Sequence, residues 1–234
     1  MIFIIIPAFN EEKTIGRVIS GLLKLKQDLI GISNGFTESN IIVVDDGSGD
    51  NTGEIAKKFG VAVLKHEINR GQGAALQTGH EYAIMKNASI VVDFDADDQF
   101  SAHDIIIGIR EMKVNGADVV FGSRFLNKKF LSFKSIPWSK RRVLLPTARW
   151  FNNKLSGLKL TDFHNGFRIM NYFALKKIKI FQDRMAHNSE ITAQIKKHNL
   201  KYIEIPVEVR YHNYGQGIAG GLKIVSELII GGFD

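Results

Sequence analysis

The chain has 234 residues, 44% of them hydrophobic and 24% charged, which is the ordinary globular range and enough apolar side chain for one substantial core. Cysteine is absent, which excludes disulfides, thiolate metal sites and cysteine nucleophiles, so any metal must sit on oxygen or imidazole. No stretch reaches the roughly 18 to 20 apolar residues of a membrane-spanning helix, and the formal net charge of +7 suits phosphate-rich partners: nucleic acid, anionic lipid headgroups or a phosphorylated substrate.

In chain order, the apolar opening from Met1 to Ile6 lacks a basic leader and meets Pro7 and Asn10 too soon for a signal-peptide core, so it reads as a buried strand. β-Branched runs predict strands at Ile2 to Ile6, Ile41 to Asp45, Val61 to Leu64, Ile90 to Asp93 and Asp118 to Gly122. Between them Ile15, Val18, Ile19, Leu22 and Leu23 recur at helical spacing, as do Ile105, Ile106, Ile109 and Met112. This alternation predicts an α/β, Rossmann-like fold with a mostly parallel central sheet flanked by helices. In such sheets ligands bind beyond the carboxyl ends of the strands. Asn10 and Glu11, Asp45 and Asp46, and Asp95 and Asp97 follow the first, second and fourth strands, so three strand ends should converge on one site. No repeat or linker interrupts the chain, which reads as one domain, residues 1–234, whose composition shifts near residue 123.

Asp95 and Asp97 stand two residues apart at a strand end, so extended geometry projects both carboxylates to one side. Two such acids repel unless a hard cation neutralises them, and Mg²⁺ or Mn²⁺ commonly bridges carboxylates to substrate phosphates. Gln99 continues the alternation and offers an amide oxygen. The segment VVDDGSGDNT, Val43 to Thr52, ends a strand with acids, supplies glycines for a tight turn, and offers Asp50 or Thr52 as a helix N-cap. Its functional reading is that Asp46 accepts hydrogen bonds from a nucleobase or ribose. NRGQGAALQTG, Asn69 to Gly79, has glycines that permit close backbone approach but neither the GxGxxG nor the GxxxxGK[ST] spacing of other nucleotide sites.

From Val119 to Thr161 there is no acid, while Arg124, Lys128, Lys129, Lys134, Lys140, Arg141, Arg142, Arg149, Lys154 and Lys159 supply positive charge. Phe130, Leu131, Phe133, Ile136, Pro137 and Trp138 are interleaved with these cations, a pattern that suits a membrane headgroup interface. The apolar stripe Leu222, Val225, Leu228 and Ile229 reads as core or a partner contact. His66, His80, His103, His164, His187 and His198 show no paired metal-ligand spacing and read as structural or surface residues, with His164 the one to test.

Taken in order, IPAFNEEKTI (Ile6 to Ile15), VVDDGSGDNT, NRGQGAALQTG, DADDQ (Asp95 to Gln99), FGSRF (Phe121 to Phe125) and TDFHNGFR (Thr161 to Arg168) resemble the motifs of family-two inverting glycosyltransferases, most closely the dolichyl- and polyprenyl-phosphate sugar synthases. The resemblance implies a GT-A fold with a nucleotide-sugar-binding half (1–122) and an acceptor-binding, membrane-facing half (123–234). It implies that Pro7, Ala8, Asn10, Glu11 and Asp46 hold the nucleoside, with Gly71 and Ala96 among the substrate contacts. Asp95, Asp97 and Gln99 would hold Mg²⁺ or Mn²⁺ and the diphosphate, Arg124 would meet phosphate charge, and Asp162 and Gly166 would line the acceptor side. Asp95, Asp97, Arg124 and Asp162 would thus carry the catalysis. The chain departs from the family at Tyr211 to Ile218, YHNYGQGI, where His212 stands in place of an arginine.

The implied reaction moves a sugar from a UDP- or GDP-linked donor to a polyprenyl phosphate. That acceptor is already an anion near neutral pH, its second pKa being about 6, and demands no general base; a glycan hydroxyl would need one, with Asp162 or Glu190 available. The expected location is cytoplasmic, peripheral at the cytoplasmic face of a membrane, with a small membrane protein as anchor. No helix-turn-helix, zinc or RNA-sheet motif is present, so no nucleic-acid partner is expected.

Overall fold

The structure, a computed structural model, describes residues 1–33, 35–126, 157–163, 165–184 and 186–209. Its strands are β1 (Ile2–Ala8), β2 (Ile41–Asp45), β3 (Ala62–Lys65), β4 (Ile90–Asp93), β5 (Val119–Ser123), β6 (Arg168–Asn171) and β7 (Tyr202–Pro206). They form one sheet in the order β3-β2-β1-β4-β6-β5-β7. β6 runs antiparallel between β4 and β5, and the other neighbours pair in parallel. Helices α1 (Ile15–Lys24), α2 (Lys26–Ile32), α3 (Thr52–Lys57), α4 (Gln72–Met85), α5 (His103–Asn115), α6 (Tyr172–Lys177) and α7 (His187–Lys197), with one 3-10 turn at Glu38–Asn40, complete the described elements.

β1 lies between β2 and β4, and every one of its residues is buried. A strand covered on both faces needs no polar alternation, hence the unbroken IFIIIPA run. Its side chains still alternate between two layers. Ile2, Ile4 and Ile6 join Ile15, Val18, Ile19 and Leu22 of α1 and Ile105, Ile106 and Ile109 of α5 on one face. Phe3 and Ile5 join Ala75, Leu76 and Ala83 of α4, with Leu175 and Ile191, on the other. The two predicted apolar stripes are therefore the surfaces that clamp one side of the sheet.

The α/β expectation agrees with the sheet, with small shifts at strand ends: β1 continues to Ala8, β3 begins at Ala62, and β5 spans Val119–Ser123. β6 and β7 carry no signal comparable to the first-half strands. β6 is four residues long and opens with a buried arginine, and β7 is an edge strand with Glu204 at its centre. The second half of the chain thereby contributes a strand to the middle of the sheet. α3 starts behind Asn51, whose side chain makes no cap bond. Asp50 does that work from one residue earlier, accepting Thr52 N at 3.0 Å and, through its other oxygen, Glu12 N at 3.1 Å.

α4 approaches the sheet closely because its contact face is built of small residues. A Cβ on Gly79 would lie 2.3 Å from Ile5 Cγ2, whereas one on Gly21 of α1 would meet nothing within 4 Å. Gly79→Ala is therefore expected to lower stability by about 1–3 kcal/mol through overpacking. Gly21→Ala is expected to raise it by about 0.5–1 kcal/mol through reduced helix entropy cost. Urea titration of the two variants checks both signs.

Candidate functional site

The parallel order β2-β1-β4 brings three strand ends together, and a pocket of about 350 Å³ opens there. Its walls come from Pro7 and Ala8 at the end of β1 with Phe9 and Glu11 beyond it, from Asp46 after β2, from Asn69 and Gly71 before α4 with Gln72 and Ala75 in its first turn, and from Asp95, Ala96 and Asp97 after β4. The convergence expected from the sequence is the arrangement found.

Asp46 is buried, and its carboxylate organises a loop. One oxygen meets His66 Nδ1 at 2.6 Å and Arg70 N at 3.0 Å; the other accepts Asn69 Nδ2 at 3.0 Å and Gly71 N at 2.6 Å. Gly71 sits at φ +108, a conformation that side-chain-bearing residues rarely adopt. With two protein partners on each oxygen, Asp46 fixes the shape of the pocket wall, and it stands in the pocket lining. Asn10 also braces rather than lines. Its Oδ1 accepts Gly49 N at 2.9 Å and its N–H donates to Ser48 Oγ at 3.0 Å, tying the β1 loop to the following turn.

Asp95 and Asp97 both reach the pocket. Burial, then the neighbouring Asp97 charge, pushes the Asp95 carboxyl up from an ordinary 3.8 to about 7, against the opposing pull of Arg168. Asp97 is also raised, first by burial and further by the Glu11 and Asp98 charges. One Asp95 oxygen accepts Gln72 Nε2 at 3.0 Å. Gly166 packs directly on this carboxylate: a Cβ there would lie 2.1 Å from Asp95 Oδ2. Gln99 meets Asp97 through its backbone, N to Oδ1 at 3.0 Å, and it is not in the pocket lining.

Beneath these acids lies a buried polar layer. His80 Nε2 meets Asp93 Oδ1 at 2.7 Å, and Arg168 reaches Asp93 Oδ2 at 3.4 Å and Asn188 Oδ1 at 2.7 Å. All four residues are at most 4% exposed. His187 beside them is depressed to about 4, chiefly by burial and then by the Arg168 charge, and so is neutral near pH 7. The structural reading of His80 and His187 agrees with this. Gln72, Asp93, Arg168 and Asn188 were not foreseeable as site support. The available signals were slight: a glutamine inside NRGQG, and an acid closing the apolar run before DADDQ.

Arg124 and Asp162 find each other. Arg124 Nε and Nη2 donate to the two Asp162 oxygens at 2.6 and 2.8 Å, and Arg124 N adds a bond at 3.1 Å. This bidentate geometry is the strong form of the pair. Neither residue is in the lining of the pocket at the three strand ends, and the pair joins the end of β5 to the segment before β6. Glu190 is likewise occupied, its Oε2 accepting Phe181 N at 2.9 Å and Gln182 N at 3.0 Å. His164, His212, the aromatic-basic stretch from Lys128 to Lys154, and the stripe from Leu222 to Ile229 lie outside the described residues.

No cluster of three or more histidine or acidic side chains in ligating geometry occurs among the described residues. The donor set still fits a divalent cation. Asp95 and Asp97 are half-buried and open to the pocket, both are raised chiefly by burial, and the Asp97 charge raises Asp95 further. Mg²⁺ in particular is held by one or two carboxylates plus substrate phosphates.

Residues 3–179 match the model of glycosyl transferase family 2. A protein of Methanocaldococcus jannaschii named as uncharacterized is 38% identical over 98% of this chain and 91% of its own length. The UDP-N-acetylglucosamine–dolichyl-phosphate N-acetylglucosaminyltransferase of Methanococcus voltae is 33% identical over 98% of this chain and 95% of its own. Among solved structures, glucosyl-3-phosphoglycerate synthase from Mycobacterium tuberculosis, crystallised with UDP, superposes with a TM-score of 0.67 at 18% identity over 98% of this chain and 77% of that one. The fold is thus GT-A.

A carboxyl whose folded-state pKa is raised keeps a proton that the unfolded chain has released. Asp95 therefore makes the metal-free protein lose stability as pH rises from about 3.8 through about 7. Thermal melts across that range check the slope, and Mn²⁺ is expected to oppose the loss at its upper end. In a binding titration, Mn²⁺ affinity should rise with pH through about 7 as the competing proton leaves. Gly166→Ala is expected to displace the Asp95 carboxylate and to weaken Mn²⁺ binding by about tenfold or more, the scale of disturbing a ligand's support.

Proposed function

The chain belongs to glycosyl transferase family 2, and from that premise we propose that it is a metal-dependent inverting transferase that moves a sugar from a nucleoside diphosphate sugar to a polyprenyl phosphate. The observation that carries the proposal is the pair Asp95 and Asp97, both raised by burial and both lining the pocket at the junction of three strand ends, where no cation stands in the lining among the described residues. Asp95 and Asp97 would hold Mg²⁺ or Mn²⁺, which supplies Lewis-acid stabilisation of a leaving diphosphate.

The remaining roles follow from where each group stands. Pro7, Ala8, Phe9 and Glu11 form one wall for the nucleoside, and the Asn69–Gly71 loop pinned by Asp46 forms another. Gln72 and Gly166 hold the Asp95 carboxylate from two sides, which limits its reorganisation when the diphosphate arrives. Asp162 and Glu190, the acids available as general bases, are both occupied within the protein. That favours an acceptor that is its own anion, a phosphate monoester, over a sugar hydroxyl.

Relatives named for dolichyl phosphate and for polyprenol monophosphomannose synthesis support the lipid acceptor, the latter from Mycolicibacterium smegmatis at 24% identity over 94% of this chain. None of the described helices is long and apolar enough to cross a membrane. Work on a lipid-linked acceptor then places the enzyme at a membrane surface, to which the basic stretch of the sequence is suited. The comparisons lend no support to a small anchor protein, and it forms no part of the proposal.

The test is transfer of radiolabelled sugar to polyprenyl phosphate in detergent from a panel of UDP- and GDP-sugars. UDP-N-acetylglucosamine, the donor in the name of the Methanococcus voltae relative, comes first. Label should enter the lipid phase with Mg²⁺ or Mn²⁺ and vanish with chelator. Asp97→Ala should lower the rate by about two orders of magnitude or more, in the range of lost electrostatic stabilisation. Label appearing only in a glycan, with none in the lipid, would move the acceptor to a hydroxyl.

A further inference from the structure

The pocket stands between two acidic walls. Glu11, on the segment that runs from β1 into α1, faces the Asp95–Asp97 segment that follows β4, and the Glu11 charge adds to what raises Asp97 after burial. Like charges across a narrow gap push the walls apart. One contact pulls the other way. Arg17, on the first half of α1, donates Nε to Asp98 Oδ2 at 3.0 Å, and so joins the first wall to the second just beyond the metal-facing acids.

The backbone at that point needs such a restraint. Asp98 sits at φ +61, in the sparsely populated left-handed region. Its neighbour Asp97 holds its own orientation by accepting a hydrogen bond from Gln99 N at 3.0 Å. The segment Asp97 to Gln99 is thus a tight turn stapled at one side chain to a helix of the opposite wall. Strained turns of this kind persist where the surroundings over-determine them.

We propose that the Arg17–Asp98 pair is a strap across the pocket mouth that positions Asp97 for its cation, which makes Arg17 a positioning residue for the donor site. This rests on the proposed assignment of Asp95 and Asp97 to a divalent metal. The strap is half in solvent, with side-chain exposures of 49% and 22%, and exposed pairs add little to global stability. Its effect is therefore local, on the order of a three- to fivefold change in metal affinity.

The sign of that change separates positioning from charge. Taking a cation away from an acidic site should, on Coulomb grounds alone, tighten the binding of Mn²⁺. Loss of a strap should loosen it. The experiment is a titration of free Mn²⁺ by electron paramagnetic resonance with the full chain, comparing wild type, Arg17→Ala, Arg17→Lys, Asp98→Asn and the double variant Arg17→Ala/Asp98→Asn. The strap predicts binding roughly three- to fivefold weaker in Arg17→Ala, partial recovery with lysine, no further loss in the double variant beyond Asp98→Asn, and unchanged melting temperature. Equal or tighter binding by Arg17→Ala, or losses that add in the double variant, would overturn it. Failure of the wild type to bind Mn²⁺ would overturn the metal assignment and the strap with it, whereas normal wild-type binding with an unaffected Arg17→Ala overturns the strap alone.

Discussion

Two carboxylates held side by side with little water around them repel, and the site is organised around that repulsion. Asp95 and Asp97 stay in place because the groups about them leave little room to relax. Gln72 donates to one oxygen of Asp95, the Gly166 backbone closes on the same carboxylate, and Arg168 lends charge from below. Among the described residues no cation lines the pocket beside the two acids. A divalent cation carrying a substrate diphosphate has the charge and ligand preference that this gap calls for.

The sheet exists in the form that makes this possible. β1 is buried on both faces and pairs in parallel with β2 and β4, so three chain segments leave the sheet at the same end. The antiparallel insertion of β6 between β4 and β5 then carries Gly166 and Arg168 back toward Asp95 and Asp93. Its register sets Asp93 opposite Arg168, and their ion pair in the buried layer fixes the strand that bears the acids. Truncating Arg168 would strand a buried carboxylate, a far larger disturbance than cutting the exposed Arg17–Asp98 pair at the rim.

Much of this was legible in the sequence, and the reasons are local. Unbroken β-branched runs and helical stripes located β1, β2, β4, α1 and α5, because a strand buried on both faces and a helix buried on one leave distinct periodicities. Acids placed after those runs marked the site. What stayed hidden depends on contacts between distant segments. Asp46 occupied by Asn69, Arg70 and Gly71, Asp162 clasped by Arg124, and Asn10 bonded to Gly49 are long-range pairings. Each gives a residue picked out as a ligand contact a bracing role within the protein. β6 was equally obscure, since a four-residue strand that begins with a buried arginine has no strand signature until its partner Asp93 is in place.

The central claim is that the Asp95–Asp97 pair binds a nucleoside diphosphate through a shared metal. Calorimetric titration of UDP and GDP into wild type and Asp95→Asn, each with and without Mn²⁺, addresses it directly. One of the two nucleotides should bind wild type more tightly with Mn²⁺ than without, and the variant should lose this difference while keeping its metal-independent affinity. Nucleotide binding that is equally tight with and without Mn²⁺ in the wild type would contradict it.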